Sequence, residues 1–342
     1  MMAMKSRRRG VIQGMAAGAA TFLAAGQSEA VAAPMQVQRP WLAWTKSFFK
    51  KPIKIAASCY NTTNPYFTPT RYGVLDAGGQ LGIDVHWTGV PDGNTVAQIA
   101  QFRELVDTGY EAIVVIPLEA AAWIAPIKHA IESNVLVVTA NSDSPDSSRE
   151  LFFGQDLVGA AEVQGRMLAK LAGGKGKVAM TNCAPGLLAL DQRIEGAKKG
   201  VAAGGLTPVG VYNTNPSDMA SELATIKSIV AAHPDLRAMM PLCGPDTAAA
   251  GLVKKSTRAT WPIVGTDLLY QTLELIRDGV IEGTVGQQAY LQGYLPVMYC
   301  YQRAVLRAPR LYLPGDNYFM ANEIVTRKNV AYYLEREKRF QG

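Results

Sequence analysis

The sequence predicts an α/β protein built as two doubly wound, parallel-sheet lobes that follow one another along the chain. Three observations carry this. Short apolar, β-branched runs recur from Ile53 to Thr266, with helical patterns filling the gaps between them. The runs are continuous rather than alternating, as strands buried on both faces require. Gly82 and Gly109 stand just past the ends of helical patterns, where a left-handed residue closes a helix at least cost.

The first series places strands at Ile53–Ser58, Ile83–Trp87, Ala112–Ile116 and Val135–Thr139, with helices at Thr68–Leu81, Thr95–Thr108 and about Ala120–Ser133. Pro126 lies within the third helical pattern, so that helix starts late or kinks there. A second series places strands at Leu151–Phe153, Lys177–Thr181, Pro208–Tyr212, Arg237–Leu242 and Ile263–Thr266. Its helices fall at about Asp156–Ala172, Leu187–Ala203, Ser217–Ala232 and Asp246–Ser256. A helix near Asp267–Asp278, a strand at Glu282–Gln288, a long helix at about Gly293–Leu306 and two short runs, near Asn317–Val325 and Ala331–Glu335, complete the pattern. Gly173-Gly174-Lys175-Gly176-Lys177 has the look of a phosphate loop. It follows a helix and precedes a strand, the reverse of the order a phosphate loop needs, and reads as a turn.

The chain has 342 residues, enough for two domains, and 48% of them are hydrophobic. Net charge is +6, half of it within residues 1–33, and no downstream cluster of Lys and Arg with interleaved aromatics marks a nucleic-acid partner. Residues 1–33 read as an export signal. Arg7-Arg8-Arg9 precedes a mildly apolar stretch, Val11–Ala25, and a small-residue end at Ala30-Val31-Ala32-Ala33. The paired arginines and weak hydrophobicity point to the twin-arginine route, although Gly10-Val11 stands where an aromatic usually follows. Cleavage is expected near Ala32-Ala33, placing the mature chain in the periplasm behind an N-terminal arm at 34–51. The four cysteines, Cys59, Cys183, Cys243 and Cys300, form no CxxC pair or metal spacing. They are expected to be buried thiols, with a disulfide such as Cys59–Cys183 left open.

In open α/β sheets, ligands sit beyond the carboxyl ends of the strands. There the sequence offers Asn64, Tyr66 and Phe67 after the first strand, and Asn141 and Asp143 after the fourth. Asp191, Gln192 and Arg193 follow the next βα turn, and Asn213, Asp267 and Gln287 lie at later strand ends. Amides, carboxylates and one guanidinium with aromatic walls suit a polyol: forked groups pair adjacent hydroxyls, and rings cover C–H faces. Asp156 and Asp246 read as helix caps rather than ligand groups. There is no nucleophile elbow, metal-ligand set or dinucleotide fingerprint, so neither a catalytic residue nor a cofactor is expected.

These motifs taken together resemble the ribose-binding type of periplasmic substrate-binding proteins of ABC importers. Asn64-Pro65-Tyr66-Phe67, Asp191-Gln192-Arg193-Ile194-Glu195-Gly196, His233-Pro234-Asp235, Val264-Gly265-Thr266-Asp267 and Thr284-Val285-Gly286-Gln287 match that family in order and spacing, over residues 53 to about 325. The resemblance implies the type I periplasmic-binding fold. Its lobes would be 52–146 with 288–322, and 147–287 with 323–342, joined by three crossover segments near 141–151, 266–270 and 284–288. It also implies a monomer that closes on a sugar, sugar alcohol or related polyol and delivers it to an ABC permease in the membrane. Family sugar-site positions carry over to Asn64, Tyr66, Phe67, Asn141, Asp267 and Gln287. The Asp-Arg of ribose binders at the fourth strand is Asn141-Ser142 here. Asn141-Ser142-Asp143 and Asp191-Gln192 are similar to autoinducer-2 receptors instead, yet Tyr60 replaces their first-loop lysine. The alternatives are therefore a receptor for such a furanosyl signal, a sensor that presents ligand to a chemoreceptor or kinase, and, more distantly, a sugar-acting enzyme.

Overall fold

The computed structural model describes residues 52–216 and 218–341. The export signal and the arm at 34–51 lie outside the described residues.

The first lobe is a six-stranded sheet in the order β11-β5-β4-β3-β1-β2. Its strands are β1 (Lys54–Cys59), β2 (Asp84–Gly89), β3 (Ala112–Ile116), β4 (Leu136–Ala140), β5 (Phe152–Gln155) and β11 (Asn317–Met320), and every neighbouring pair runs parallel. β1 is flanked on both sides, with Ile55 opposite Val85 on β2 and Ala112 on β3. Ile55, Ala56, Ala57 and Ser58 are accordingly fully buried, which is why this run shows no polar alternation. Helices α1 (Thr68–Leu81), α2 (Thr95–Asp107) and α3 (Ile124–Glu132) make the crossovers. Gly82 (φ 66°) closes α1 and Gly109 (φ 80°) follows α2, both in the left-handed region. Asn94 caps α2 by accepting from the Ala97 amide at 3.0 Å. Pro126 delays α3 rather than kinking it: a short 3₁₀ turn at Ala120–Trp123 comes first, and the proline occupies the first helical turn, where its missing N–H costs nothing.

The second lobe holds β6 (Gly176–Asn182), β7 (Leu206–Asn213) and β8 (Leu236–Pro241) in the order β7-β6-β8. A parallel bridge between Met239 and Ile263 continues them into β9 (Val264–Thr266), β10 (Gly283–Gly286) and the antiparallel β12 (Glu323–Thr326). Its helices are α4 (Leu157–Leu171), α5 (Leu188–Ala203), α6 (Met219–Ala232), α7 (Gly244–Thr257) and α8 (Tyr270–Arg277). Helix α9 (Ala289–Cys300) returns to the first lobe and packs on α1, and α10 (Val330–Glu337) packs beside α8. The α1–α9 contact is close enough to demand glycine on both helices. A Cβ on Gly73 would lie 2.1 Å from the Tyr290 carbonyl oxygen, and one on Gly293 would lie 2.0 Å from that of Thr70.

Two expectations about lobe boundaries are corrected. The run at Leu151–Phe153 does not open the second lobe. Strand β5 pairs with β4 and β11, so the first crossing falls at Gln155–Leu157 and not at 141–151. Nor does Thr266–Tyr270 cross, because it joins β9 to α8 within one lobe. The third crossing is the short step from β11 to β12 at Ala321-Asn322, while the one after β10 lies where expected. The parallel-strand pattern is identical on either side of a crossing, so only pairing reveals which sheet a strand joins.

Candidate functional site

The site is assembled at the carboxyl ends of β1, β4, β6, β8 and β9 and at the crossing after β10. Asn64 caps a 3₁₀ turn, Pro65–Phe67, by accepting from the Tyr66 amide at 3.0 Å, which fixes the loop and aims Tyr66 inward. Asn141 follows β4 and Asp267 follows β9, and both hold left-handed backbone, with φ of 62° and 66°. Asn and Asp tolerate that region better than other side chains, and it turns each group off its strand end into the space between the lobes.

There the groups bond to one another. Asn141 Nδ2 donates to the Tyr66 hydroxyl at 3.0 Å and to Gln292 Oε1 at 3.0 Å, with Gln287 Oε1 at 3.4 Å. The Tyr66 hydroxyl donates to Gln292 Oε1 at 3.2 Å, and Gln292 Nε2 to Gln287 Oε1 at 3.0 Å. Gln287 Nε2 passes the chain on to Asp267 Oδ1 at 2.9 Å. Arg193 Nη2 lies 3.5 Å from the same oxygen, while its Nη1 is anchored on the Leu242 carbonyl at 2.8 Å. This network runs from first-lobe Tyr66 and Asn141, through the crossing at Gln287, to second-lobe Asp267 and Arg193.

All of these groups except the partly exposed Asn64 are buried, and the electrostatics follow from that. Burial pushes the Asp267 carboxyl up, against the pull of the Arg193 guanidinium and of hydrogen bonds from Gln287 and the Gly244 amide. Burial, reinforced by the charge of Asp267, lifts the Tyr66 phenol well above its ordinary value, so Tyr66 stays a neutral donor. The cavity that these residues share with Tyr60, Leu187, Leu190 and the Cys183–Cys243 pair is about 30 Å3, room for little more than water. The lobes meet across this network, and the space left between them as they stand is too small for a sugar.

Of the residues expected from sequence, Asn64, Tyr66, Asn141, Arg193, Asp267 and Gln287 line this cavity. Phe67 stands behind it, edge-on to Tyr60 and Tyr66 with ring centroids 5.4 and 5.0 Å apart. Asp143 is turned away. Both its oxygens take the Arg149 guanidinium, at 2.8 and 2.6 Å, and Arg149 also grips the Asp316 carbonyl and Asn317 at the start of β11. Asp143 thus braces the β4–β5 loop against its neighbour in the sheet. Asp191 is exposed on the first turn of α5, Gln192 beside it does not reach the cavity, and Asn213 is exposed at the end of β7. On α5 only one residue in three or four faces inward, and Arg193 takes that place.

Asp156 caps α4, accepting from the Gly159 amide at 3.0 Å, as expected. Asp246 does not cap α7. It is fully buried in the first turn of that helix, whose N-cap is Cys243, accepts from Thr214 Oγ1 at 2.7 Å, and lies against the buried Glu222 of α6. Cys183 and Cys243 form a disulfide, with Cα atoms 6.4 Å apart, whereas Cys59 and Cys300 are buried thiols. The cysteine expectation is therefore half corrected. Gln292 was missed, and its signal is an amide inside the otherwise apolar and aromatic run Ala289–Leu295. Tyr60, Leu187 and Leu190 carry no signal apart from their apolar character.

Two sheet-based lobes, three chain crossings and a polar network buried between them define a two-lobed binding protein. Residues 55–305 match the family model described as periplasmic binding protein domain, and the chain belongs to that family. It is 27% identical over 312 residues to the xylose/arabinose-binding protein XylF of Sulfolobus acidocaldarius, covering 84% of this chain and 74% of that protein. It is 24% identical over 257 residues to the ribose import binding protein RbsB of Bacillus subtilis, covering 75% and 83%. Among solved structures, a solute-binding protein from Burkholderia graminis in complex with D-arabinose superposes with a TM-score of 0.76 at 23% identity, covering 82% of this chain and 96% of that one. The glucose-galactose binding protein GanP of Geobacillus stearothermophilus gives 0.74 at 22% identity, covering 82% and 99%. At such identities the structural likeness speaks for the fold.

Proposed function

We propose that this protein is an exported solute-binding protein that takes up a sugar, sugar alcohol or related polyol between its lobes and hands it to an ABC transporter permease. The observation that carries the reading is the hydrogen-bonded chain from Tyr66 and Asn141 through Gln287 to Asp267 and Arg193. These groups are fixed in position, alternate donor and acceptor, and come from both lobes. A sugar that replaces their mutual bonds with its own hydroxyls converts lobe closure into binding energy, and one misplaced hydroxyl leaves a buried group unpaired. Asn64, Tyr66, Asn141, Arg193, Asp267 and Gln287 are the proposed contacts, with Tyr60 and Tyr66 as the ring-facing wall and Gln292 holding Asn141 and Gln287 in place.

Relatives whose names specify xylose, arabinose and ribose favour a sugar over the furanosyl signal, and none of those named above is described as a receptor of that signal. They are binding proteins, and the cleft reads the same way: the one carboxylate among the described residues that line it, Asp267, is held by Arg193 and Gln287 rather than poised beside a nucleophile. Among the described residues no helix is long and apolar enough to cross a membrane. Export by the twin-arginine route, and with it a periplasmic location, rests on residues 1–33.

The test is a thermal-shift screen of the chain from residue 34 against pentoses, hexoses, tetritols and nucleosides, followed by small-angle scattering with and without the best ligand. A sugar or polyol should raise the melting temperature with concentration, as mass action requires, and alter the radius of gyration. No shift with any sugar or polyol would remove the basis of the proposal.

A further inference from the structure

The two walls of the cleft differ in chemistry. The first lobe and the crossing supply Asn64, the Tyr66 hydroxyl, Asn141 and Gln287. The second lobe supplies one polar pair, Arg193 with Asp267, set in an apolar surface of Leu187, Ala189, Leu190 and the Cys183–Cys243 disulfide. That surface is fixed rather than adaptable. The disulfide ties the loop after β6 to the N-cap residue of α7, so the two loops that shape this wall are covalently joined at the cavity. As the lobes stand, Leu187, Ala189, Leu190 and Cys243 are 2–5% exposed and pack in one cluster with Tyr60 and Tyr66 of the opposite lobe. Apart from the Arg193–Asp267 pair, the described residues of the second lobe that line the cavity put no side-chain donor or acceptor there to meet a hydroxyl, the Asp246 carboxylate lying outside the lining.

Resting on the sugar reading above, we infer that the Cys183–Cys243 disulfide and the leucines beside it select for a sugar that turns a hydroxyl-free edge toward the second lobe, a pentopyranose or a 6-deoxyhexose in preference to the parent hexose. An exocyclic hydroxymethyl pressed on this wall buries an oxygen without a partner, while a methyl or a bare ring C–H edge is welcome there. The pentopyranose and the 6-deoxy sugar keep every ring hydroxyl that the Asn141–Gln287–Asp267 side can pair.

Calorimetric titration with three matched series tests this: D-xylose, 6-deoxy-D-glucose and D-glucose; L-arabinose, D-fucose and D-galactose; D-lyxose, D-rhamnose and D-mannose. Within the series that binds best, the 6-deoxyhexose and the pentose should each bind at least tenfold more tightly than the hexose. Ala189→Ser, a small change on the wall, and the double variant Cys183→Ser/Cys243→Ser, admitted only if it melts cooperatively, should each narrow that ratio. A hexose that binds wild type as tightly as its 6-deoxy homologue overturns the role of the wall while leaving sugar binding intact. A ratio unmoved in Ala189→Ser does the same even if the double variant does not fold. Silence from all nine sugars, with no other polyol binding, counts against the sugar reading itself.

Discussion

Tyr66 and Asn141 lie 75 positions apart and on different strand ends, yet Asn141 Nδ2 donates to the Tyr66 hydroxyl at 3.0 Å. The bond joins the first and fourth strand ends into one polar surface, and the tyrosine hydroxyl donates onward to Gln292 Oε1 at 3.2 Å. Tyr66→Phe removes that link while keeping the ring. Affinity for the best sugar should fall about tenfold, and the ligand-free protein should also melt lower, because Asn141 and Gln292 lose a buried partner there too. Calorimetric titration beside a melting curve separates the two effects, and unchanged affinity would place the ligand elsewhere.

Asn141 makes a second, separable prediction through its backbone. At φ 62° an alanine is strained, by about 1 kcal/mol or more, whereas glycine is at ease. Both Asn141→Ala and Asn141→Gly should lose sugar affinity alike. Asn141→Ala should be the less stable of the two in urea, and equal stabilities would show that the turn relaxes.

The Arg193–Asp267 pair is almost fully buried, with the side chains 6% and 4% exposed. Removing one member leaves the other charge uncompensated, at a cost of about 3–5 kcal/mol. Arg193→Met should therefore destabilise the protein by that order, and the orphaned Asp267 carboxyl should take up a proton. Asp267→Asn suits the left-handed backbone and keeps the Gln287 contact, and the Arg193 guanidinium it leaves uncompensated still holds the Leu242 carbonyl, so besides losing sugar affinity it should be destabilised, though less than Arg193→Met. Chemical denaturation across pH 5 to 8 checks the order of the two variants.

Glu222 is fully buried in α6 beside Asp246. Burial first, then the charge of Asp246, pushes its carboxyl up to about 9. The folded state thus holds a proton that the unfolded chain gives up in the ordinary carboxylate range. Stability is full below that range and is lost as pH rises from it toward about 9. Glu222→Gln copies the protonated acid and should flatten this decline. Melting temperatures of the two proteins should agree near pH 4.5 and diverge by pH 8.5, with the variant higher. Parallel curves would mean that Glu222 is ionised in the fold.

The chain end spans both lobes. Helix α10 packs beside α8 in the second lobe, and three residues past it Phe340 lies against Tyr72 and Tyr290 of the first, with centroids 5.4 and 6.2 Å apart and Arg339 4.4 Å above Tyr290. Phe340→Ala should loosen this clasp and lower stability by about 3 kcal/mol, the usual cost of emptying a buried aromatic site. It should also enlarge the ligand-free radius of gyration by scattering, a change that a purely local cavity would not produce.

The polar residues were legible to different degrees. Asn64, Tyr66, Asn141, Asp267 and Gln287 could be named because strand ends are visible as the edges of apolar runs, and ligands gather there. Asp143, Asp191, Gln192 and Asn213 sit at the same kind of edge, but their side chains face Arg149 or solvent. Which way a residue points depends on a turn of helix or a single bond to a neighbour, and neither leaves a trace in one sequence.

The sequence by itself determined the alternation of strands and helices, the buried character of β1 and the set of strand ends from which a site could be drawn, because local propensity and periodicity decide these. Only the tertiary structure decided that β5 belongs to the first sheet, where the chain crosses between lobes, that Cys183 finds Cys243, and that Gln292 ties Asn141 to Gln287. Those are pairings between segments 13 to 151 positions apart, and closing such loops costs nearly the same for many rival partners, so the choice is made by packing in the folded molecule.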